Sequence, residues 1–261
     1  MVHPSFKDYF SDAAAEYATF RPRYPAALFD FVASLAPERR VAWDCATGSG
    51  QAAVPLADRF GRVIATDASA EQLAHATPHP RVEYGVALAD DSGIERESVD
   101  LVTVAQALHW FDVDAFYAEV RRVLRPSGAI AVWTYGDVHT GDAVLDDRLH
   151  HFAHGTLGPW WPPERAHVDA GYRTLPFPFH EVEAPSFVLE HRWTLPELAG
   201  YLRSWSATLR WQAAHAADPV APLEAELRPL WGDPDRPRTV IWPLVVRAGY
   251  VEGRQEPGTR N

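Results

Sequence analysis

The sequence predicts an α/β fold, doubly wound about a mostly parallel sheet, with N-terminal helices before it and a helical, lid-like elaboration in the second half. Three observations predict it. From Val41 onward, short apolar runs alternate with helical stretches. A glycine loop, Gly48-Ser-Gly50, stands where the first run turns into a helix. An aspartate, Asp67, closes the second run, where a ligand at the carboxyl ends of parallel strands would meet it.

Residues 1–40 read as helical, broken at Arg21-Pro-Arg-Tyr-Pro25, after which Leu28, Phe29, Val32 and Leu35 recur at helical spacing. The strand runs are Val41–Ala46, Val63–Thr66, Val82–Val86, Val99–Ala105 and Ala129–Tyr135. Runs of four to eight residues separated by helices imply βαβ units, whose right-handed crossovers give a doubly wound sheet. Beyond Gly136 the texture changes, with seven of the ten tryptophans and eight of the twelve histidines lying there. Pro159 to Pro178, rich in proline and aromatics, reads as a loop or lid. Leu195–Gln212 reads as one helix, opened by Thr194 with Glu197 three residues on, a capping box. Val240–Val251 reads as the last strand and 252–261 as a polar tail. The whole is taken as one domain over 1–251, with a cofactor-binding core at 41–136 and an acceptor-side elaboration at 137–251.

Composition narrows the function classes. The chain has 261 residues, is 47% hydrophobic and carries a formal charge of −11, which argues against a protein built to grip nucleic-acid phosphates or an anionic membrane. Lys7 is the only lysine among 24 basic residues, a bias that reads as codon usage in a GC-rich genome. The single cysteine, Cys45, forms no internal disulfide and reads as a buried strand residue. No apolar run approaches the roughly 20 residues of a membrane span. A soluble cytoplasmic protein is expected, a monomer or homodimer acting on a small molecule.

Glycines at 48 and 50 let the backbone approach a ligand where a Cβ would block it, and with Ala53 they complete a G-x-G-x-x-A pattern. Asp67, 19 residues after Gly48, suits ribose hydroxyls. Asp44, four residues before Gly48, does not suit a dinucleotide: a carboxylate at the loop would repel a pyrophosphate. An anion there fits a cationic ligand without phosphate, and S-adenosylmethionine, with an ammonium, a sulfonium and a ribose diol, meets that description. The rival reading is a turn cap.

Asp44-x-x-x-Gly-x-Gly50, Ile-Ala-Thr-Asp67, Ser-Val-Asp-Leu-Val-Thr-Val-Ala-Gln-Ala-Leu-His-Trp-Phe111 and Arg-Val-Leu-Arg-Pro-Ser-Gly128 together resemble the class I methyltransferases. Tyr17-x-x-x-Arg-Pro-x-Tyr-Pro25, Ala-Gln-Ala-Leu-His-Trp-Phe111 and Gly-Tyr-Leu-Arg-Ser-Trp-Ser206 are similar to the trans-aconitate methyltransferase-like subgroup. The resemblance covers roughly residues 9–250. It implies a seven-stranded Rossmann-like sheet and an S-adenosylmethionine site. Gly48 and Gly50 would contact the methionine part, with Asp44 near its ammonium. Asp67, with Ala68 and Gln72, would hold the ribose, Asp90 the adenine edge, and Gln106 the region of the sulfonium. Ala46, where relatives carry glycine, would tighten the approach to the methionine carboxylate.

The donor is already activated, so the protein's task is alignment and exclusion of water. His109, after the fourth strand, reads either as a general base or as part of a pocket floor with Trp110. Tyr17, Arg21 and Tyr24 would cover the cofactor or hold an acidic acceptor, or else pack on the sheet. Trp160, Trp161, Tyr172 and Arg203 would line an acceptor cavity, or else serve as core. His150, His151 and His154 read as a solvent-facing cluster with no metal, because no third ligand follows at a known spacing. Two rivals from other classes are a nicotinamide-dependent oxidoreductase and a non-catalytic binder. The absence of a Tyr-x-x-x-Lys pair weighs against the first. The joint presence of Asp44, Gly48, Gly50 and Asp67 weighs against the second. A nucleic-acid methyltransferase is disfavoured by charge and by the lack of an Asn-Pro-Pro-Tyr pocket.

Overall fold

A buried strand with a parallel neighbour on each side forms the centre of the sheet. Strand β1 (Val41–Cys45) lies parallel to both β2 (Arg62–Asp67) and β4 (Val99–Ala105), which covers both its edges. Its Ala42, Trp43, Asp44 and Cys45 are all buried, as expected of a parallel strand packed on two faces. The computed structural model describes residues 22–36 and 38–251, so Tyr17 and Arg21 lie outside the described residues.

The described chain divides into two units, each assembled from separate stretches. The sheet unit takes 24–134, 170–187 and 245–251. Here β3 (Val82–Val86) extends the parallel array beyond β2, and β5 (Leu124–Tyr135) extends it beyond β4. β6 (His180–Val182) pairs antiparallel with the end of β8 (Arg238–Tyr250), His180 opposite Tyr250. The strand order β3-β2-β1-β4-β5-β8-β6 is the seven-stranded, mostly parallel Rossmann-like path expected, and β7 (Phe187–Trp193) pairs with β8 off that path.

The helices of this unit follow from simple periodicities. In α1 (Ala26–Ser34), Leu28, Phe29, Val32 and Ala33 form the buried stripe. α2 (Ala53–Ala57) and α3 (Ala70–Ala74) are short, and the Ser69 hydroxyl caps the second by accepting the Gln72 N–H. α4 (Val113–Val123) starts at Asp112, which accepts the Ala115 N–H, and buries Phe116, Tyr117, Val120 and Val123. At the far ends of the strands, the carboxylate of Asp100 accepts the N–H groups of Arg40 and Val41 and pairs with Arg125, so the chain enters β1 at a fixed angle.

The helical unit takes 22–23, 135–169 and 188–244 of the described residues. α5 (Ala143–His150) runs into a π-helical turn at His151–Thr156, and Arg165–Asp169 forms the short α6. The stretch read from sequence as a loop therefore holds a 3₁₀ turn, Gly158–Trp160, and a helix. α7 (Leu195–Arg203) has the capping box: Thr194 accepts the Glu197 N–H, and Glu197 accepts the Thr194 N–H. The single helix expected over 195–212 is two helices, α7 and α8 (Ser206–His215), followed by α9 (Val220–Trp231). The break falls at Trp205, whose backbone is extended (φ −68°, ψ 137°). The hydroxyls of Ser204 and Thr208 cover the carbonyls of Tyr201 and Leu202 that the break exposes. Trp193, Tyr201, Trp205 and Trp242 pack edge to face around this corner, and the Trp242 indole N–H donates to the Tyr201 hydroxyl at 3.0 Å.

Candidate active site

At the carboxyl end of β1 the backbone takes three left-handed residues at alternate positions: Ala46 (φ +54°), Gly48 (φ +54°) and Gly50 (φ +84°). This coil turns the chain from strand into helix. For Ala46 the conformation costs about 1–2 kcal/mol, whereas glycine takes it freely. Ala46→Gly is therefore expected to stabilise the chain by about 0.5–1 kcal/mol, once the greater freedom of the unfolded glycine is subtracted. A urea-melt comparison of the two proteins checks this, and a lower midpoint for the glycine variant would contradict it.

Asp44 sits beneath the coil, 1% exposed. Register explains its partners. Thr103 lies opposite it on β4 and donates to Oδ1 at 2.8 Å, while Thr47 donates to Oδ2 at 2.6 Å. Neither partner is a cation. Burial is the main reason its pKa rises from 3.8 to about 6, and the nearby carboxylate of Asp67 adds to the rise against the two hydroxyls. A buried carboxylate paired with two hydroxyls is short of positive charge, and an ammonium group at the loop would supply it.

Asp67 ends β2 one strand away. Its Oδ2 accepts the Gly48 N–H at 2.8 Å and its Oδ1 the Ser69 N–H at 2.9 Å, so the loop and the start of α3 are braced on one carboxylate. A carboxylate offers about four lone-pair sites, the acceptor chemistry that ribose hydroxyls need. Ala68 and Gln72 are half-buried beside it. Tyr84, on β3, reaches under Gly50: its hydroxyl donates to the Thr77 carbonyl at 2.7 Å, and burial together with the charge of Asp44 pushes its pKa up to about 12. Asp90 is exposed in the turn closed by the Leu88–Asp91 bridge, with Val86 and Leu88 exposed nearby as apolar surface.

Gln106, at the end of β4, is also left-handed (φ +57°); its N–H donates to the Trp133 carbonyl and its side-chain oxygen accepts from the Thr134 hydroxyl. The 3₁₀ turn Leu108–Trp110 then presents His109, whose Nδ1 lies 3.0 Å from the Tyr172 hydroxyl. Trp110 packs against the imidazole at 4.6 Å between centroids. Tyr24 lies edge-on to Phe29 and Trp133.

The structure thus gathers Asp44, Ala46, Gly48, Gly50, Asp67, Ala68, Gln72, Gln106, His109, Trp110 and Tyr172 in the sheet unit. Trp160, Trp161 and Arg203 belong to the helical unit. There Trp161 donates to the Ala153 carbonyl under the guanidinium of Arg165, Trp160 packs edge-on to His215, and Arg203 is paired with Asp218 and Glu224. His150 and His154 converge on Asp137, with the His154 Nε2 at 2.5 Å, and Arg165 supplies the cation beside that carboxylate at 2.9 Å. Sequence reading missed Thr47, Ser69, Tyr84, Thr103 and Thr134. For Thr47 and Ser69 the signal was present, a hydroxyl beside each key carboxylate; the other three depend on strand register.

Residues 43–132 match the sequence profile of the methyltransferase domain family. A Dictyostelium discoideum protein named as a methyltransferase is 35% identical over 206 residues, 77% of this chain and 78% of the relative. The chain belongs to the class I methyltransferases. A solved methyltransferase structure from Anaeromyxobacter dehalogenans superposes with a TM-score of 0.84 at 49% identity, covering 88% of this chain and 98% of the other. The Bacillus YcgJ protein, 17% identical with a TM-score of 0.53, shares the fold. With an uncharacterized methyltransferase of Mycobacterium tuberculosis the chain is 34% identical over 134 residues, about half of each protein (51% and 54%).

With the family comes its methyl donor, S-adenosylmethionine, and the residues fit it. The left-handed coil gives a close backbone approach, Asp44 lacks a cationic partner among its bonded neighbours, and Asp67 is a rigidly held acceptor. The nicotinamide-dependent and non-catalytic readings are not favoured. Among the described residues no helix is long and apolar enough to cross a membrane.

Proposed function

We propose that this methyltransferase methylates an oxygen of a small-molecule acceptor, a carboxylate or a hydroxyl. S-adenosylmethionine supplies the activated methyl group, which an acceptor oxygen displaces while the C–S electron pair goes to sulfur. The observation that carries the cofactor side is the buried carboxylate of Asp44, held under the glycine coil by two hydroxyls. Asp44 binds the ammonium, the Ala46–Gly50 backbone lies along the methionine part, Asp67 with Ala68 and Gln72 accepts the ribose hydroxyls, and Asp90 takes the adenine edge. Gln106, fixed by Thr134, faces the reacting end. On the acceptor side His109, Trp110, Tyr172 and Tyr24 orient the incoming molecule and exclude water. Tyr17 and Arg21 complete the proposed cover.

The finer assignment, to the trans-aconitate methyltransferase-like subgroup, is supported by the motifs at 17–25, 105–111 and 200–206. A single domain over 1–251 is supported by the interleaving of the two units, neither of which is a continuous segment.

Calorimetric titration with S-adenosylhomocysteine tests the cofactor side. Micromolar binding is expected, weakened at least tenfold in Asp67→Ala, with NAD and NADP giving no heat. Binding of the nicotinamide cofactors alone would overturn the assignment. Screening a panel of carboxylic acids, phenols and amines for a methylated product by mass spectrometry tests the acceptor class, and a product methylated on nitrogen would refute oxygen transfer.

A further inference from the structure

Tyr172 is held in place more firmly than a pocket wall requires. It is 1% exposed and left-handed (φ +59°), a conformation unfavourable for a tyrosine. Such strain persists where the surroundings over-determine it, and here they do. Arg247 donates from one nitrogen to the carbonyls of Tyr172 and Leu175, both at 3.0 Å, while its other nitrogens grip Glu181. Two side chains of α4 hold the same loop further on: the Tyr117 hydroxyl donates to the Pro176 carbonyl at 3.0 Å, and Arg121 to the Pro178 carbonyl at 2.8 Å. Gly171 permits the turn because a Cβ there would meet Val245 at 3.0 Å. The loop delivers the phenol to His109 Nδ1 at 3.0 Å.

Which group donates follows from the surroundings. Burial pushes the Tyr172 pKa far up, so the phenol keeps its proton. Among the described residues the one hydrogen bond of this buried phenol is to Nδ1. A buried O–H left without an acceptor is costly, so the phenol's proton is directed to Nδ1. A neutral imidazole that accepts at Nδ1 carries its proton on Nε2. The titratable neighbours do not reverse this: Tyr117 keeps its phenol proton, and Arg247 is neutralised by Glu181.

We propose that Tyr172 is a positioning residue that fixes His109 in the Nε2–H tautomer, so that the imidazole meets the acceptor as a hydrogen-bond donor and takes no proton from it. This rests on the methyl-transfer reading given above and deepens it, separating the two roles open to His109. In the transfer, an acceptor oxygen that is already ionised forms the new O–C bond as the C–S bond breaks. No proton changes hands, and the Nε2–H orients the acceptor. The site therefore suits acceptors whose reacting atom is ionised at working pH, and discriminates against those needing a base.

Long-range ¹H–¹⁵N correlation NMR of the uniformly labelled full chain at neutral pH reads the tautomer without any ligand, His109 being assigned by signal loss in His109→Gln. The wild type is expected to show one tautomer, protonated at Nε2, with a hydrogen-bonded Nδ1. In Tyr172→Phe, which keeps the ring, the Nδ1 hydrogen-bond signature is lost and an Nδ1–H population appears. A wild-type His109 protonated at Nδ1 would overturn the proposal by itself, even if the variant did not fold. An unchanged single tautomer in folded Tyr172→Phe would overturn it equally. Failure of S-adenosylhomocysteine to bind would strike the functional reading and leave the tautomer result standing.

Discussion

Asp44→Asn is expected to give a more stable protein that no longer binds its cofactor. In the folded chain the Asp44 pKa is raised from 3.8 to about 6, chiefly by burial. Between those values the native state holds a proton that the unfolded state has lost, so this group's contribution to stability is present below pH 3.8 and disappears as pH rises through 6. At pH 7 the charged carboxylate costs about 3 kcal/mol relative to an unperturbed one, at about 1.4 kcal/mol per pKa unit. Asparagine removes that cost. Its oxygen can still accept from Thr47, and Thr103 can turn its hydroxyl to the Trp43 carbonyl, 3.4 Å away. Urea melts should show a gain on the order of 2 kcal/mol at pH 7, shrinking toward pH 4. Calorimetry with S-adenosylhomocysteine should show at least a tenfold loss. In the wild type, binding should weaken with each pH unit below 6, because the ammonium requires the ionised form. A variant less stable than wild type at pH 7 would show that the carboxylate is there for folding and not for the ligand.

The second large effect concerns Gly50→Ala. A Cβ at this position would stand 2.3 Å from the Tyr84 hydroxyl oxygen, which is anchored to the Thr77 carbonyl, and φ +84° is itself unfavourable for alanine. Either the tyrosine leaves its hydrogen bond or the coil opens, and each route displaces a wall of the proposed cofactor site. A loss of about 2–4 kcal/mol is expected, within the range of overpacking added to backbone strain. The double variant with Tyr84→Phe separates the two causes. Removing the hydroxyl leaves the ring carbon at 3.2 Å as the nearest atom, so part of the stability should return while the backbone strain remains. Simple additivity of the two changes would show that the clash is not the cause.

These residues also show how far the sequence carries. The strand runs at 41, 63, 82 and 99 and the glycine coil were legible because parallel β-structure is written locally, in short apolar runs closed by a turn. Asp44 and Asp67 were legible because each is fixed to one end of one strand. The helix break at Trp205 was not, since no glycine or proline marks it; Ser204 and Thr208 support it with hydroxyls that a helix also tolerates. Thr103 and Tyr84 acquire their roles from register across β1, β2, β3 and β4, and Tyr172 meets His109 across 63 residues of sequence. Composition marked Tyr172 as a lining residue but contains nothing that aims its hydroxyl at an imidazole.

The loop that carries Tyr172 has a temporal consequence. The strands that carry the proposed cofactor site are complete by residue 135, whereas Arg247, which ties that loop down, and Tyr250, which pairs with β6, are among the last described residues of the chain. During synthesis the amino-terminal βα units can collapse as they emerge. The contacts that set the His109 imidazole must wait for residues more than a hundred positions downstream, and non-local pairings of this kind form slowly. A chain still on the ribosome would thus hold a methyl donor's cradle without an aligned acceptor face, so competence arrives in one late step.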